Sequence, residues 1–463
     1  MNPIGVGQRF PAAWLLAFAC VTASQAFGQE QETSGTFLEE IIVVATKRPE
    51  RLQDVPVAVT AIRGETLERS GVEDVYELQE QAPGLTVSRS QNSTTASFAI
   101  RGIGTSSQNF GLESSVGLYI DGVYRARQSS VINNLVDIEA VEILRGPQGT
   151  LFGRNTTGGA INLVTKKPTG QFEGMVRARY GNYDAWETTA VLNVPIMGDQ
   201  LAFRGVFQHT EHDGYGFNAA FNESVGSDKT DFFRGSLLFA PDGQPVQALL
   251  QGDYTNRRTG GELIGLRSFT ATPLQGFLVG LCSGPNALAP CPYKGPAGDN
   301  LGNYALSTQG KDDFYTVFNS MPGVYGDAQT GGVSLTIDYE ITDNLAVKSI
   351  SAYRRVTTAA LSDNDGTPYV FTGGLSQQDG NFIRQQQISQ ELQVSGSAMS
   401  ERLSYIGGVF YFHEGGLDKS KSYSVFPLSP ALGYLTRPPR CPPGCPRCRR
   451  GSRRGPRRGQ SSR

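Results

Sequence analysis

Residues 137–168 read DIEAVEILRGPQGTLFGRNTTGGAINLVTKKP: two short apolar runs, 138–144 and 160–164, bracket Gly146, Gly149, Gly153, Gly158 and Gly159. Glycines this dense between strand-like runs imply tight turns and close backbone approach, because glycine alone takes positive φ without steric cost. A glycine-rich turn after a strand can also cradle phosphate, but that chemistry needs G-x-x-x-x-G-K-[ST] or G-x-G-x-x-G opening a helix. Here no Lys-Ser/Thr pair follows the glycines, Thr156–Gly159 runs into a strand, and Arg101-Gly102-Ile103-Gly104 lacks a third glycine. Phosphate binding is therefore disfavoured.

After residue 170 the pattern becomes a long series of period-two strands. Gly174, Val176, Ala178 and Tyr180 share one face while Glu173, Arg177 and Arg179 share the other, and Thr188, Ala190, Leu192 and Val194 continue the apolar register beyond a turn at 181–184. Val246, Ala248, Leu250, Gly252 and Tyr254 oppose Gln247, Gln251 and Asp253, and Val333, Leu335, Ile337 and Tyr339 oppose Ser334, Thr336, Asp338 and Glu340. One apolar and one polar face, ending in aromatics, suits membrane strands around a wet lumen. A soluble β-sandwich shows the same alternation with the apolar face turned inward. Short turns at 241–243 and 342–344 alternate with long insertions at 257–326 and 361–380. That asymmetry matches periplasmic turns and extracellular loops.

The N-terminus points to export. Arg9 precedes an apolar run, 12–21, too short to span a bilayer, followed by small residues suited to cleavage near Ala26 or Gly28. Residues 1–28 therefore read as a signal peptide. Phe18 stands where a lipobox needs a small residue, so Cys20 reads as a bystander. Cys282 and Cys291 lie close together in a Gly/Pro-rich loop, which suits one disulfide in an oxidising compartment, the alternative being two unrelated thiols.

The glycine block, together with VPVAVTAI, APGLTV, IRGIG and SVGLYIDGVY in that order, resembles the plug domain of TonB-dependent outer-membrane transporters. The resemblance covers about the first third of the chain and implies an α/β plug domain (residues 49–168). A transmembrane antiparallel β-barrel follows it (169–436). Within the plug, 57–62 reads as a strand, 64–71 and 74–81 as short helices, and 85–88, 98–102, 117–123 and 138–144 as further strands. Residues 29–48 become a periplasmic arm, in which Glu40, Ile41, Ile42, Val43, Val44, Ala45 and Thr46 resemble the TonB box. A β-branched run of this kind can add itself to a partner's sheet edge, although pairing inside its own domain is the commoner fate of such a strand. The short lead-in leaves no room for the extra signalling domain that some family members carry.

The resemblance further implies a plug core built on Arg145, Gly146, Pro147, Gly149, Gly153 and Arg154. Arg145 and Arg154 would pair with carboxylates on barrel strands, Glu391 being a candidate, or else face solvated lumen. The plug apex falls at 104–114, making Gln108, Asn109 and Phe110 candidate ligand contacts. The implied partners are the TonB energy transducer, outer-membrane lipid and a small ligand. A ferric siderophore is the family default; corrinoid, haem or glycan are alternatives, and a passive receptor or adhesion protein is a second class. No cofactor, catalytic residue or nucleic-acid partner is expected. The cluster His209-Thr210-Glu211-His212-Asp213 is an incomplete zinc set and reads as a polar strand end.

Two features depart from the family. About nine or ten strands are legible up to Phe412, roughly half of the about 22 in plugged outer-membrane transporters. Residues 437–463 then carry ten Arg and no acid, leaving a body of net charge −12 (31 − 43). Cys441, Cys445 and Cys448 are one short of a zinc set. A basic run can bind nucleic acid or anionic lipid, but Arg, Pro, Gly and Cys together suit GC-rich DNA read out of frame. The expectation is an out-of-frame tail on a truncated chain that does not work as a transporter.

Overall fold

The computed structural model describes residues 42–44, 46–89, 94, 96–105, 111–131, 135–219, 221–265, 315–317, 323–363, 375–376, 381–400, 402–419 and 422–423. The signal peptide, the arm before Ile42, the apex residues Gln108, Asn109 and Phe110, Cys282 and Cys291, and the 437–463 tail lie outside the described residues.

The first part is a small α/β domain. Its elements are β1 (Ile42–Val43), β2 (Glu50–Arg51), β3 (Val59–Arg63), α1 (Gly64–Ser70), α2 (Leu78–Gln81), β4 (Leu85–Arg89), β5 (Ala96–Ile100), β6 (Ile103–Gly104), β7 (Val116–Ile120), β8 (Val123–Tyr124), β9 (Ile138–Arg145), α3 (Gly149–Phe152) and β10 (Gly159–Thr165). A five-stranded mixed sheet in the order β3-β9-β10-β7-β8 carries its core, and β4-β5-β6 form a second sheet. Leu67 of α1, Leu78 of α2, Phe98, Leu118, Val141, Ile143 and Ile161 pack into one cluster.

Helix α1 ends as its sequence dictates, on Gly71 in the left-handed region, whose N–H returns to the Glu68 carbonyl. The second helix is shorter than its pattern suggests. The Asp74 carboxylate accepts the N–H groups of Tyr76 and Glu77, and that side-chain turn delays the helix to Leu78. The run 117–123 is likewise two strands, because Asp121 and Gly122 both take positive φ and fold β7 onto β8 as a tight hairpin.

The second part is one nine-stranded antiparallel sheet in simple sequence order. It comprises β11 (Glu173–Gly181), β12 (Ala185–Pro195), β13 (Leu201–His212), β16 (Asp228–Phe239), β17 (Val246–Thr259), β19 (Tyr325–Thr342), β20 (Leu345–Leu361), β22 (Asn381–Ala398) and β23 (Leu403–Lys419). Between β13 and β16 lie β14 (Gly216–Asn218) and β15 (Glu223–Val225), which with β18 (Thr316–Val317) join two of the long connections in a small sheet. A further pair joins β21 (Leu375–Ser376) to β24 (Ser422–Tyr423). The turns at 181–184, 241–243 and 342–344 lie where the sequence puts them, between consecutive antiparallel strands.

Burial decides which way this wall faces. Its buried positions are mostly polar, Glu187, Thr189, Asn193, Arg204, Arg234, Gln251, Thr255, Arg257, Arg354, Gln385 and Gln387 among them, with Val191, Val206, Phe232 and Ile350 as apolar exceptions. Its exposed positions are apolar: Val176, Trp186, Leu192, Phe233, Leu250, Val333, Ile388 and Val409 among them. A soluble sandwich would show the reverse, so that alternative falls. On β12 and just beyond it the outward face runs from Trp186 to Ile196. Ten steps make about 33 Å of strand, or about 25 Å of height at a tilt of about 40°, the height of an outer-membrane apolar band. Among the described residues no helix is long and apolar enough to cross a membrane; the strands have the pattern that does.

Candidate functional site

Because the inward face is mostly polar, the plug meets the wall largely through charges and amides, beside small apolar contacts such as Val136 with Val191, Val206 and Phe232, and the polar contacts make up the candidate site. Three groups matter: the docked arm, the Asp137 junction and the seam along β17, β20 and β22.

The arm enters as β1, pairing with β2 through Ile42 opposite Arg51 and Val43 opposite Glu50. Val43 is 1% exposed and packs with Tyr119, Tyr124, Leu144 and Phe152. Next to it the Val44 N–H donates to Glu142 Oε1 on β9 at 2.6 Å, while Asn162 of β10 donates to Glu142 Oε2 at 3.1 Å. Burial pushes the Glu142 carboxyl up, and the bonds from Val44 and Asn162 only partly oppose it. Lys47, at positive φ, reverses the chain and sends its ammonium to Glu391 of β22 at 3.3 Å. The ammonium also lies over the rings of Phe152 at 4.8 Å and Tyr119 at 5.3 Å. Burial lowers its pKa, and the Glu391 charge works against that shift. Lys47, Glu391, Tyr119, Phe152 and Phe410 line a cavity of about 160 Å³ here.

Asp137 sits at the start of β9 with φ of 54°, a left-handed geometry that Asp tolerates. Its carboxylate takes Arg204 in a two-point grip, Nε to Oδ2 at 2.8 Å and Nη2 to Oδ1 at 2.7 Å. Arg234 adds a contact to Oδ2 at 3.2 Å and donates to the carbonyls of Val136 and Asp137 at 3.0 and 2.9 Å. Burial would raise the Asp137 carboxyl, but the two guanidiniums outweigh it and hold the group below the usual carboxylate range. Above this junction, in a cavity of about 320 Å³, lie Arg177, Arg179 and Glu173 of β11 with Glu68 and Glu73 of the plug.

Along the middle strands Asp121 accepts Thr165 twice and Gln251 once. Gln387 donates to the Tyr124 carbonyl at 2.7 Å and accepts the Ala126 N–H at 3.1 Å, and Arg127 pairs with Glu414 of β23. Arg125 and Arg354 both approach Asp253. Burial pushes Arg125 down to about 9, which leaves it cationic at neutral pH.

The residues read from sequence are redistributed accordingly. Ile42, Val43, Val44 and Thr46 lie in the docked arm; Glu40, Ile41 and Ala45 are outside the described residues. Gly146 and Gly153 have positive φ and Gly149 opens α3, as a tight glycine block requires. The proposed pairing of Arg145 with Glu391 does not occur: Arg145 donates to the Pro83 carbonyl at 3.1 Å within the plug, and Glu391 is taken by Lys47. Arg154 pairs with Glu113, also of the plug, and lies 5.3 Å from the Phe412 ring of β23. His209 binds Asp231 at 2.7 Å and Glu211 pairs with Lys229, so the histidine cluster is engaged in cross-strand pairs. No metal-holding group of acids, Cys and His occurs among the described residues. The sequence reading passed over Lys47, Glu142, Asp137 and Asp253. Asp137 and Glu142 lay inside the glycine block, yet nothing local marks a carboxylate whose partner lies on a strand 67 residues away.

Residues 51–160 match the family model of the TonB-dependent receptor plug domain. Residues 51–160 are a plug domain of that kind. With the lipid-patterned wall that follows, the chain has the architecture of that outer-membrane family. It is 31% identical over 216 residues to the pesticin receptor of Yersinia pestis, covering 46% of this chain and 32% of the relative. It is 25% identical over 193 residues to the ferripyoverdine receptor of Pseudomonas aeruginosa, covering 42% of this chain and 23% of that protein. The ferric yersiniabactin uptake receptor FyuA from Yersinia pestis superimposes with a TM-score of 0.59 at 22% identity, over 79% of this chain and 50% of its own. The ferric-catecholate import receptor Fiu from E. coli K12 gives 0.59 at 17% identity, over 82% and 52%. The chain spans about a quarter to a third of the length of these curated relatives and about half of the solved structures.

Proposed function

We propose that this plug and wall belong to a TonB-dependent uptake system for a scarce ligand of the ferric siderophore class. The observation that carries the reading is the docked arm. A β-branched segment N-terminal to a plug is held by two rungs, one carboxylate and one ammonium, so it is seated without being built into the main sheet. A periplasmic partner can take such a segment by strand addition. The relative named as a ferripyoverdine receptor supports the iron-uptake assignment over corrinoid, haem or glycan. No covalent chemistry is required: ligand binding need only favour the arm's release, by its differential affinity for the two states.

A passive receptor or adhesion protein would need no handle of this kind. Val43→Pro removes a strand N–H and disfavours the extended pairing. Expressed in the receptor context, it should abolish energised uptake of a ferric siderophore while leaving surface binding intact. Unchanged uptake would instead favour the passive reading.

A further inference from the structure

Glu142 is 1% exposed and stands on the β9 face that presents Leu144 to the apolar cluster of Val43, Tyr119 and Ala160. Its carboxyl accepts two hydrogen bonds, from the Val44 N–H of the arm at 2.6 Å and from the Asn162 amide at 3.1 Å. Neither donor is charged. The cations of the neighbouring elements are directed elsewhere: Lys47 to Glu391, Arg48 to Glu50, and Arg145 to the Pro83 carbonyl. Lys166, beyond β10, acts on Asp137. Arg51 of β2 and Arg63 of β3 exert no pull on Glu142, whose ionisation answers to burial, Val44 and Asn162. On the same side, the Tyr119 hydroxyl donates to the Phe152 carbonyl and the Tyr124 hydroxyl accepts from Asn155. Burial raises both phenols above their ordinary range, so neither titrates near neutral pH.

A buried carboxylate without a counter-charge is costly, and the direct relief is a proton. The surroundings can receive one. Asn162 Oδ1 is buried with no hydrogen-bond partner among the described residues. Turning that amide over brings Oδ1 to Glu142 Oε2, where it accepts the O–H of the neutral acid. One amide atom stays unpaired in either state. The cover over the carboxyl is the arm itself, since Val43 and Val44 close it off from water. With the arm seated, the Val44 bond favours the ionised form and burial opposes it, and burial is the larger effect. We propose that seating of the arm is proton-linked through Glu142: the arm closes over a neutral carboxylic acid, and its departure admits water, to which the group gives up its proton. A carboxyl raised above its ordinary 4.5 in the seated state supports seating fully below that value and loses the contribution as pH rises through the raised one. Acid therefore holds the arm, and rising pH frees it. The segment is the one that the uptake reading treats as its handle, yet the linkage needs neither partner nor ligand.

The test uses the full chain folded in detergent micelles. Hydrogen exchange over 42–47 is expressed relative to an unstructured peptide of the same sequence at each pH, so the intrinsic pH dependence of exchange cancels. From about pH 5 to about pH 8 wild-type protection should fall, by at most about tenfold per pH unit, the limit for one proton. Glu142→Gln copies the neutral acid in shape and hydrogen bonding, so its protection should stay at the wild type's acid level throughout. Wild-type protection that is flat with pH, or a Glu142→Gln protein that keeps the wild-type fall, overturns the proposal. Asn162→Ala covers failure of that variant to fold. It removes a bond that favours the ionised form, so the midpoint of the fall should move to higher pH, and an unmoved midpoint overturns the linkage. Uptake plays no part in these measurements, so their failure and a failure of the uptake reading are separate results.

Discussion

Asp137→Asn tests the energetics of the plug–wall junction with the least disturbance. Asparagine tolerates the left-handed φ of 54° as aspartate does, so the backbone stays where it is. What changes is charge: Arg204 and Arg234, both under 10% exposed, lose the carboxylate they share. Breaking a buried pair from one side costs about 3–5 kcal/mol. The lower end applies here, because Arg204 keeps Glu173 at 3.1 Å and Arg234 keeps two carbonyls. A loss of about 3 kcal/mol shifts the equilibrium between seated and released plug roughly a hundredfold or more. Urea unfolding followed by the fluorescence of Trp186 on β12 reads the wall, and hydrogen exchange across 135–145 reads the plug. The pH profile supplies a second check. A carboxyl held below its ordinary value contributes stability above that value, about 3.9, and loses it as pH falls through the depressed one. Wild type should therefore lose the stability of the Asp137 junction below about pH 4, and Asp137→Asn should lack that component. A variant within about 1 kcal/mol of wild type, against the 3 expected for a buried pair, would refute the reasoning.

Three further outcomes follow from other parts of the fold. A double-mutant cycle with Lys47→Met and Glu391→Gln should give a coupling of about 0.5–3 kcal/mol, with faster hydrogen exchange at Val44 in each single variant; independent effects would detach the arm from the wall. Gly159→Ala places a Cβ against the Leu144 carbonyl oxygen at a φ of 149°. The backbone conformation alone costs about 1–3 kcal/mol, so the plug sheet should lose protection in exchange, and wild-type protection would show that β10 can shift. Leu250→Arg puts a charge on the outward face of β17 and should cost about 2–4 kcal/mol on insertion into a bilayer, read as folding yield into vesicles. A neutral result would mean that face does not meet lipid.

The sequence made the wall legible because each strand repeats one rule with period two, and Trp186, Leu192 and Val333 obey it independently. It could not tell an inward apolar face from an outward one, since alternation is symmetric; the burial of Arg204, Gln251 and Gln387 breaks that symmetry. The plug's turns were legible where glycine or Asp-Gly dictates φ. Helix 74–81 was misjudged because a side-chain turn at Asp74 competed with periodicity. The site was least legible. Arg145 carries a family-like signal, yet its charge is met by a carbonyl 62 residues back, while the charges that bridge plug and wall sit on Asp137 and Lys47. Long-range partners of this kind leave no trace in local spacing.

The way the arm is seated determines how it answers to force. A pull applied on the N-terminal side of Ile42 peels the β1–β2 ribbon one rung at a time, and among the described residues there are two rungs. The load then reaches the Val44 amide and its carboxylate on β9, the second strand of the plug sheet, and next the ammonium of Lys47 anchored on β22. Slack is thus taken up cheaply at the tip, and resistance climbs sharply where the tether meets both plug and wall. A tether graded in this way ignores small thermal tugs and passes a sustained one to two bodies at once, straining them against each other.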